Sequence, residues 1–192
     1  MDYSTDSEIS AIVARVIRQA SPAAAQAPAQ AAEPHVVSGT SQLVAIGSDH
    51  GGFELKTMLI EHIQSLGFQP VDCGTHSKES VDYPDFAQAV AEKVASGKAW
   101  RGIVIDAAGI GSCMAANKVP GVRAAMCYDY VSASNSREHN DANVLTLGAG
   151  LIGINQAKLI VKTWLTTAFG GERHQRRIDK ITAIEQRYSV RR

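Results

Sequence analysis

Residues 102–118, GIVIDAAGIGSCMAANK, decide the fold: an apolar run from Ile103 to Ile105 ends in an acid, Asp106, and passes through a short open turn into a helical stretch. A carboxylate at the C-terminal end of a buried strand stands where open α/β sheets place their chemistry. In the turn, Ala107, Ala108, Gly109, Ile110 and Gly111 leave the backbone accessible, so their N–H groups can approach an anion closely. Asp106 itself has two readings. Its side chain can cap the helix that follows, or it can face the reacting carbons of a substrate while cations elsewhere balance its charge.

Working outward, the same strand-then-helix unit repeats. Leu43 to Ile46, Phe68 to Asp72, Val122 to Met126 and Val144 to Leu147 are further apolar runs of strand length. A helix is predicted from Phe53 to Leu66, stopped by Gly67, and another opens at Pro84, carries Phe86, Val90 and Val94 on one face, and ends near Gly97. Repeated βα units predict an α/β fold with a five-stranded parallel sheet covered on both faces. The last helical stretch, Arg173 to Gln186, offers Ile178, Ile181 and Ile184 for packing and is otherwise charged, a pattern suited to crossing onto a partner subunit.

Composition removes several function classes. Lys+Arg and Asp+Glu both number 19, so net charge favours neither nucleic acid nor an anionic membrane. No apolar run approaches the length of a membrane span, and a cytoplasmic protein is expected. The three cysteines, Cys73, Cys113 and Cys127, lack metal-finger or CxxC spacing, and no disulfide is expected.

Residues 1–20 form a separate object. Ile9, Ile12, Val13, Val16 and Ile17 make one apolar stripe on a helix, and Thr5 with Glu8 gives it a capping box. Pro22 ends it, and residues 21–41 are rich in Ala and Pro, a composition that builds no core. A short helix on such a tether is stabilised by docking, either on its own domain or on another protein. Its early acids, Asp2, Asp6 and Glu8, argue against a secretory signal. The arrangement resembles the encapsulation peptides that carry enzymes into bacterial microcompartments, which implies a shell or cargo protein as partner and the compartment lumen as location. Residues 42–192 would then be the working domain.

Polar residues gather at the ends of the strands. Asp49 and His50 follow the first strand, where a structural Asp–His pair is the plain alternative to a functional one. Arg137, Glu138, His139, Asn140 and Asp141 precede the fifth. Arg173, His174, Arg176 and Arg177 form a basic cluster near the C-terminus. That cluster is either a solvated face or a clamp, since Arg173 and Arg177 are four residues apart and can share one phosphate. Acid, imidazoles and paired arginines suit proton transfer on a small phosphorylated substrate.

From Val44 to Gln186 the chain closely resembles ribose-5-phosphate isomerase B and the galactose-6-phosphate isomerase subunits, through SDHGGFELK from Ser48, DYPDFA from Asp82, GIGSCMAANKVPGVRAA from Gly109, REHNDANVLTLG from Arg137 and ERHQRRIDKITAIEQ from Glu172. The resemblance implies a Rossmann-like three-layer sandwich, a homodimer that can pair into a tetramer, an active site shared between subunits, and no metal or organic cofactor. It further implies that Asp49 binds the sugar near its ring oxygen and His139 assists ring opening. Asn140 and the amides of Ala107 to Gly111 would stabilise the enediolate oxygens, and His50, Arg173 and Arg177 would hold the phosphate.

The departure from the family pattern falls on the base. Many members carry Cys-Gly-Thr where this chain has Asp106, Ala107 and Ala108, with the cysteine shuttling the proton, and another branch has a glutamate where Ser112 stands. Asp106 is the expected substitute, although a carboxylate of reference pKa about 3.9 is intrinsically a weaker base than a thiolate of about 8.5. Cys113 falls on the helix after the turn and is expected to pack there. The leading expectation is an aldose–ketose isomerase converting ribose 5-phosphate to ribulose 5-phosphate. The alternatives are an isomerase of a hexose or deoxy sugar phosphate, and a sugar-phosphate binder or scaffold that has lost its base.

Overall fold

In a computed structural model of the chain, residues 42–171 and 173–189 are described. The amphipathic helix expected at residues 1–20 and the linker at 21–41 lie outside the described residues. The strands are β1 (Leu43–Ser48), β2 (Gln69–Asp72), β3 (Arg101–Asp106), β4 (Ala124–Met126) and β5 (Val144–Gly148). Between and after them run α1 (Phe53–Ser65), α2 (Tyr83–Ala95), α3 (Ile110–Ala116), α4 (Tyr130–Glu138), α5 (Ile154–Thr166) and α6 (Gln175–Ser189). All strand pairs are parallel, in the order β2-β1-β3-β5-β4. The five-stranded α/β prediction stands.

Side chains alternate across this sheet with the period of two that a pleated strand imposes. Val44, Ile46, Ile103, Ile105, Leu145 and Leu147 pack on one side with Leu55, Leu59 and Ile63 of α1 and Ile160, Val161 and Trp164 of α5. Ala45, Val104 and Val144 face the other side with Ala87, Val90, Ala91 and Val94 of α2. Small residues set the layer spacing on that side: a Cβ at Gly102 would lie 2.5 Å from Val90 Cγ1. No described helix is long and apolar enough to cross a membrane.

Most boundaries move by a residue or two from the sequence expectation, and those of three elements are informative. β3 begins at Arg101 and reaches Asp106, paired with Val44 at one end and Gly148 at the other, and Arg101 is a buried charge with carbonyl partners: its guanidinium donates to the backbone oxygens of Trp164, Leu165 and Thr167 at the end of α5. β4 is only Ala124–Met126, since the Arg123 N–H before it donates to the Asn143 side chain (Oδ1, 2.7 Å) instead of to a strand carbonyl. α6 runs Gln175–Ser189, with Ile178 buried and Ile181 and Ile184 exposed.

Candidate active site

Parallel strands put every segment that follows a strand at one edge of the sheet and every segment that precedes one at the other. Asp49 and His50 follow β1 and the 106–111 turn ends β3, so these occupy the carboxyl edge, on neighbouring strands. His139 and Asn140 precede β5 and occupy the amino edge. Arg173, His174 and Arg177 join them there, because the chain leaving α5 is tied back by Gly170 N–H donating to Glu138 O (2.9 Å) and by the stacking of His174 on His139. The two groups are separated by roughly the length of β5, about 15 Å at 3.3 Å per residue.

At the carboxyl edge, Asp106 is buried and turned inward. Its Oδ1 accepts from the N–H groups of Ala108 (2.8 Å) and Gly109, and its Oδ2 accepts from the N–H of Ser112 (2.9 Å) and from Ser112 Oγ (2.5 Å). The four donors take up the lone-pair directions of both oxygens. In this geometry the carboxylate anchors the turn, the first of the two readings. Gly109 is the residue that lets the turn close, with φ +77° and a hypothetical Cβ only 2.9 Å from the Leu147 carbonyl carbon.

The anchoring shapes the amides. With Ala108, Gly109 and Ser112 committed to Asp106, the N–H groups of Ala107, Ile110 and Gly111 have no acceptor among the described residues. Asp49 lies beside them. Its own N–H donates to Ile105 O (3.2 Å) and its Oδ1 accepts from Gly52 N–H (3.0 Å), while no described residue donates to Oδ2. A Cβ at Gly51 would lie 3.3 Å from Asp49 Oδ1 and 3.6 Å from Ala107 N, so acid and amide both border one small gap at Gly51. His50 is exposed, and its Nδ1 lies 3.2 Å from both the N and the O of Val81, which fixes the ring and leaves Nε2 uncommitted.

Tyr83, which the sequence reading passed over, packs its ring on Gly111: a Cβ there would meet Tyr83 Cζ at 2.5 Å. Lys56 was likewise passed over. It is buried, donates to Asp72 Oδ1 (2.5 Å) and Thr75 O (2.8 Å), and so fixes the 72–75 segment, whose backbone bonds Ser48 on both sides (Ser48 N–H to Gly74 O, 2.7 Å; Thr75 N–H to Ser48 O, 2.6 Å). Both lie in the motifs quoted above, and only their packing separates them from ordinary helix residues.

At the amino edge, Asp141 holds the corner. Arg137 Nη1 and Arg123 Nη2 donate to its two carboxylate oxygens at 2.8 and 2.9 Å, and the residue adopts φ +45°. His139 and Asn140 are thereby fixed at the mouth of β5. Asn135 Nδ2 donates to His139 Nδ1 (2.8 Å), which puts the imidazole proton on Nε2. Arg173 Nε donates to His174 Nε2 (3.3 Å), and both Arg173 and Arg177 are exposed. The cysteines stand apart: Cys113 donates to Ala124 O, and burial pushes the Cys73, Cys113 and Cys127 thiols up.

A parallel sheet with an acid and open amides at one edge, and imidazoles and arginines at the other, defines an α/β enzyme for a small anionic substrate. The chain belongs to the ribose/galactose isomerase family, whose model matches residues 44–181, and it is an aldose–ketose isomerase of sugar phosphates. It is 46% identical over 144 residues to ribose-5-phosphate isomerase B of Escherichia coli (strain K12), covering 75% of this chain and 97% of that one. The Clostridium thermocellum ribose-5-phosphate isomerase B structure superposes with a TM-score of 0.75 at 51% identity, covering 76% of this chain and 99% of the other. That from Mycoplasma genitalium with bound ribulose-5-phosphate gives 0.74 at 42% identity, over 77% and 99%.

Proposed function

We propose that the chain interconverts ribose 5-phosphate and ribulose 5-phosphate through an enediolate, as a homodimer in which each active site joins the carboxyl edge of one copy to the amino edge of the other. The observation that carries this reading is the separation of the two groups: within one chain, β5 lies between Asp49 and His139, a longer span than a pentose phosphate bridges. Two copies arranged about a twofold axis remove the gap twice over. The bound ribulose-5-phosphate of the Mycoplasma genitalium relative supports the choice of substrate.

In the joined site, His139 Nε2–H donates to the ring oxygen as the sugar opens. His50, Arg173 and Arg177 hold the phosphate. Asn140 and the free amides of Ala107, Ile110 and Gly111 receive the charge that develops on the enediolate oxygens, where preorganised donors act most strongly. Asp106 keeps those amides aimed.

The test is complementation. Asp49→Asn and His139→Asn homodimers are each inactive, and subunit exchange between equal amounts restores about a quarter of wild-type turnover, because half of the dimers are mixed and each mixed dimer holds one intact site. Exchange without recovery would show that the site lies within one chain. A panel of hexose and deoxy sugar phosphates run beside ribose 5-phosphate tests the substrate.

By the same reading, residues 1–20 are a docking peptide for a microcompartment shell or cargo protein, carried on the linker of residues 21–41, and the compartment lumen is the proposed location. What supports this is their amphipathic pattern and low-core-content tether. Deleting residues 1–34 leaves turnover and melting temperature unchanged and abolishes co-sedimentation with assembled shells; a large loss of stability would instead make the segment part of the fold.

A further inference from the structure

We infer that Asp49, and not the residue standing where relatives carry their cysteine, is the base that shuttles the proton between the sugar carbons; the inference rests on the isomerase reading above. The two acids at the carboxyl edge differ in a way the sequence does not display. Asp106 has both oxygens filled by four donors, three backbone and one hydroxyl. To take a proton from carbon it would have to surrender a bond that shapes the turn. Asp49 is held by one donor, Gly52 N–H on Oδ1, and its Oδ2 has none among the described residues. A single tether fixes the rotamer and leaves one oxygen for chemistry.

Position favours the same residue. Asp49 N–H is bonded to Ile105 O, so the acid stands at the end of β1 directly beside the start of the turn. The Gly51 gap relates Asp49 Oδ1 to Ala107 N, the first of the uncommitted amides. A base must reach the C–H bond while donors reach the adjoining oxygen, and this acid and this amide stand on neighbouring strands at one edge of the sheet. The other candidates are engaged elsewhere. Cys113 points to Ala124 O, Cys73 to Val71 O, and Glu54 is paired with Lys78.

Asp49 Oδ2 takes the C2 proton of the open aldose, and the C–H electron pair becomes the C1=C2 bond as the carbonyl pair moves onto O1. The resulting oxyanion is held by the amides. The O2 proton passes to O1 through solvent, the C2=O2 bond forms, and Asp49 returns its proton to C1, giving the ketose and the free carboxylate.

The experiment measures deuterium incorporation from D2O into ribose 5-phosphate by the full-length chain and by Asp49→Asn, Asp49→Ala, Asp106→Asn and Asp106→Ala, with thermal shifts recording folding and sugar-phosphate binding. Asp49→Asn keeps the acceptor for Gly52 and remains folded and able to bind, yet loses exchange by about 10²–10⁴-fold, the usual contribution of a positioned base. Formate restores exchange to Asp49→Ala by supplying the missing carboxylate and restores none to Asp106→Ala. Exchange retained by Asp49→Asn, or formate rescue confined to Asp106→Ala, overturns the assignment. A wild type silent on ribose 5-phosphate but active on another panel sugar overturns the substrate alone, and the same four variants then decide the base on that sugar; a wild type inert on every sugar overturns both.

Discussion

The imidazole rings of His139 and His174 stack face to face, 4.3 Å between centroids and 9° from parallel. Each ring is oriented by a different element, His139 by Asn135 of α4 and His174 by Arg173 in the turn before α6. Because Arg173 can only donate, His174 accepts at Nε2 and stays neutral. The stack therefore docks the C-terminal segment, with its two arginines, onto the residue assigned to ring opening.

Acid should loosen this contact. Burial first, then the neighbouring His139, Arg173 and Arg177, hold His174 below the usual imidazole range, with Glu138 opposing them. The folded state thus binds this proton less readily than the unfolded chain, so the contribution to stability is present above pH about 6.5 and is lost as pH falls below it. Melting temperature measured from pH 8 to pH 5 should decline on the acid side, and His174→Phe, which keeps a stacking ring and removes the titration, should flatten that decline. A slope remains, since His62 is lowered by its own burial. An unchanged slope in His174→Phe would remove the stack from the account.

Asp106→Ala should be among the more damaging single changes in the domain. It strands three N–H groups and the Ser112 hydroxyl in a buried turn, and an unsatisfied buried donor costs about 1–3 kcal/mol. With partial relaxation, a loss of about 3–5 kcal/mol is expected by chemical denaturation. Asp106→Asn should cost less, because the amide oxygen keeps one pair of donors. A loss under about 1 kcal/mol for Asp106→Ala would mean that the turn holds its shape without the carboxylate.

The Lys56–Asp72 pair gives a test with opposite signs. Lys56 is 1% exposed, so its ammonium depends on Asp72 and Thr75 O for solvation. Removing one partner, Asp72→Ala, strands the charge and should cost about 3–5 kcal/mol, whereas replacing both, Lys56→Met with Asp72→Leu, should recover much of that. A double variant no more stable than Asp72→Ala would show that the lysine's bond to Thr75 O is the greater part of its role.

The sheet was legible because its signal is local. Ile103 to Ile105 and Val144 to Leu147 are apolar runs of strand length between helical patterns, and nothing in their environment overrides them. The ends were less legible: Arg101 pairs with Val44 in the ladder, and its buried charge is accommodated by the carbonyls closing α5, more than sixty positions away. The site followed the same division. Residue types at strand ends were readable as candidates, but which carboxylate is free depends on side-chain rotamers. Asp106 and Asp49 are equivalent as letters and differ by three hydrogen bonds. His174 was visible as part of a basic cluster, and its partner His139 was visible 35 positions earlier, yet their stacking depends on the path of the chain between α5 and α6.

Two glycines separate a steric requirement from a tolerant position. A Cβ at Gly52 would lie 2.5 Å from Ile105 O and 2.8 Å from its carbonyl carbon, backbone atoms of a central strand that cannot give way. Gly52 N–H is also the single tether of Asp49. Gly52→Ala should therefore push the start of α1 off β3 and cost about 1–3 kcal/mol, as overpacking does, while swinging Asp49 away from the Ala107 amide. Gly153, before α5, has φ −77° and nothing within 4 Å of its hypothetical Cβ, so Gly153→Ala should change stability by less than about 1 kcal/mol. Turnover distinguishes position from folding. At a temperature where Gly52→Ala is still fully folded, its kcat should fall well below that of Gly153→Ala, with KM changed less than kcat, because the displaced carboxylate acts in the proton transfer more than in holding the sugar. A folded Gly52→Ala with wild-type kcat would show that the tether does not set the acid's position.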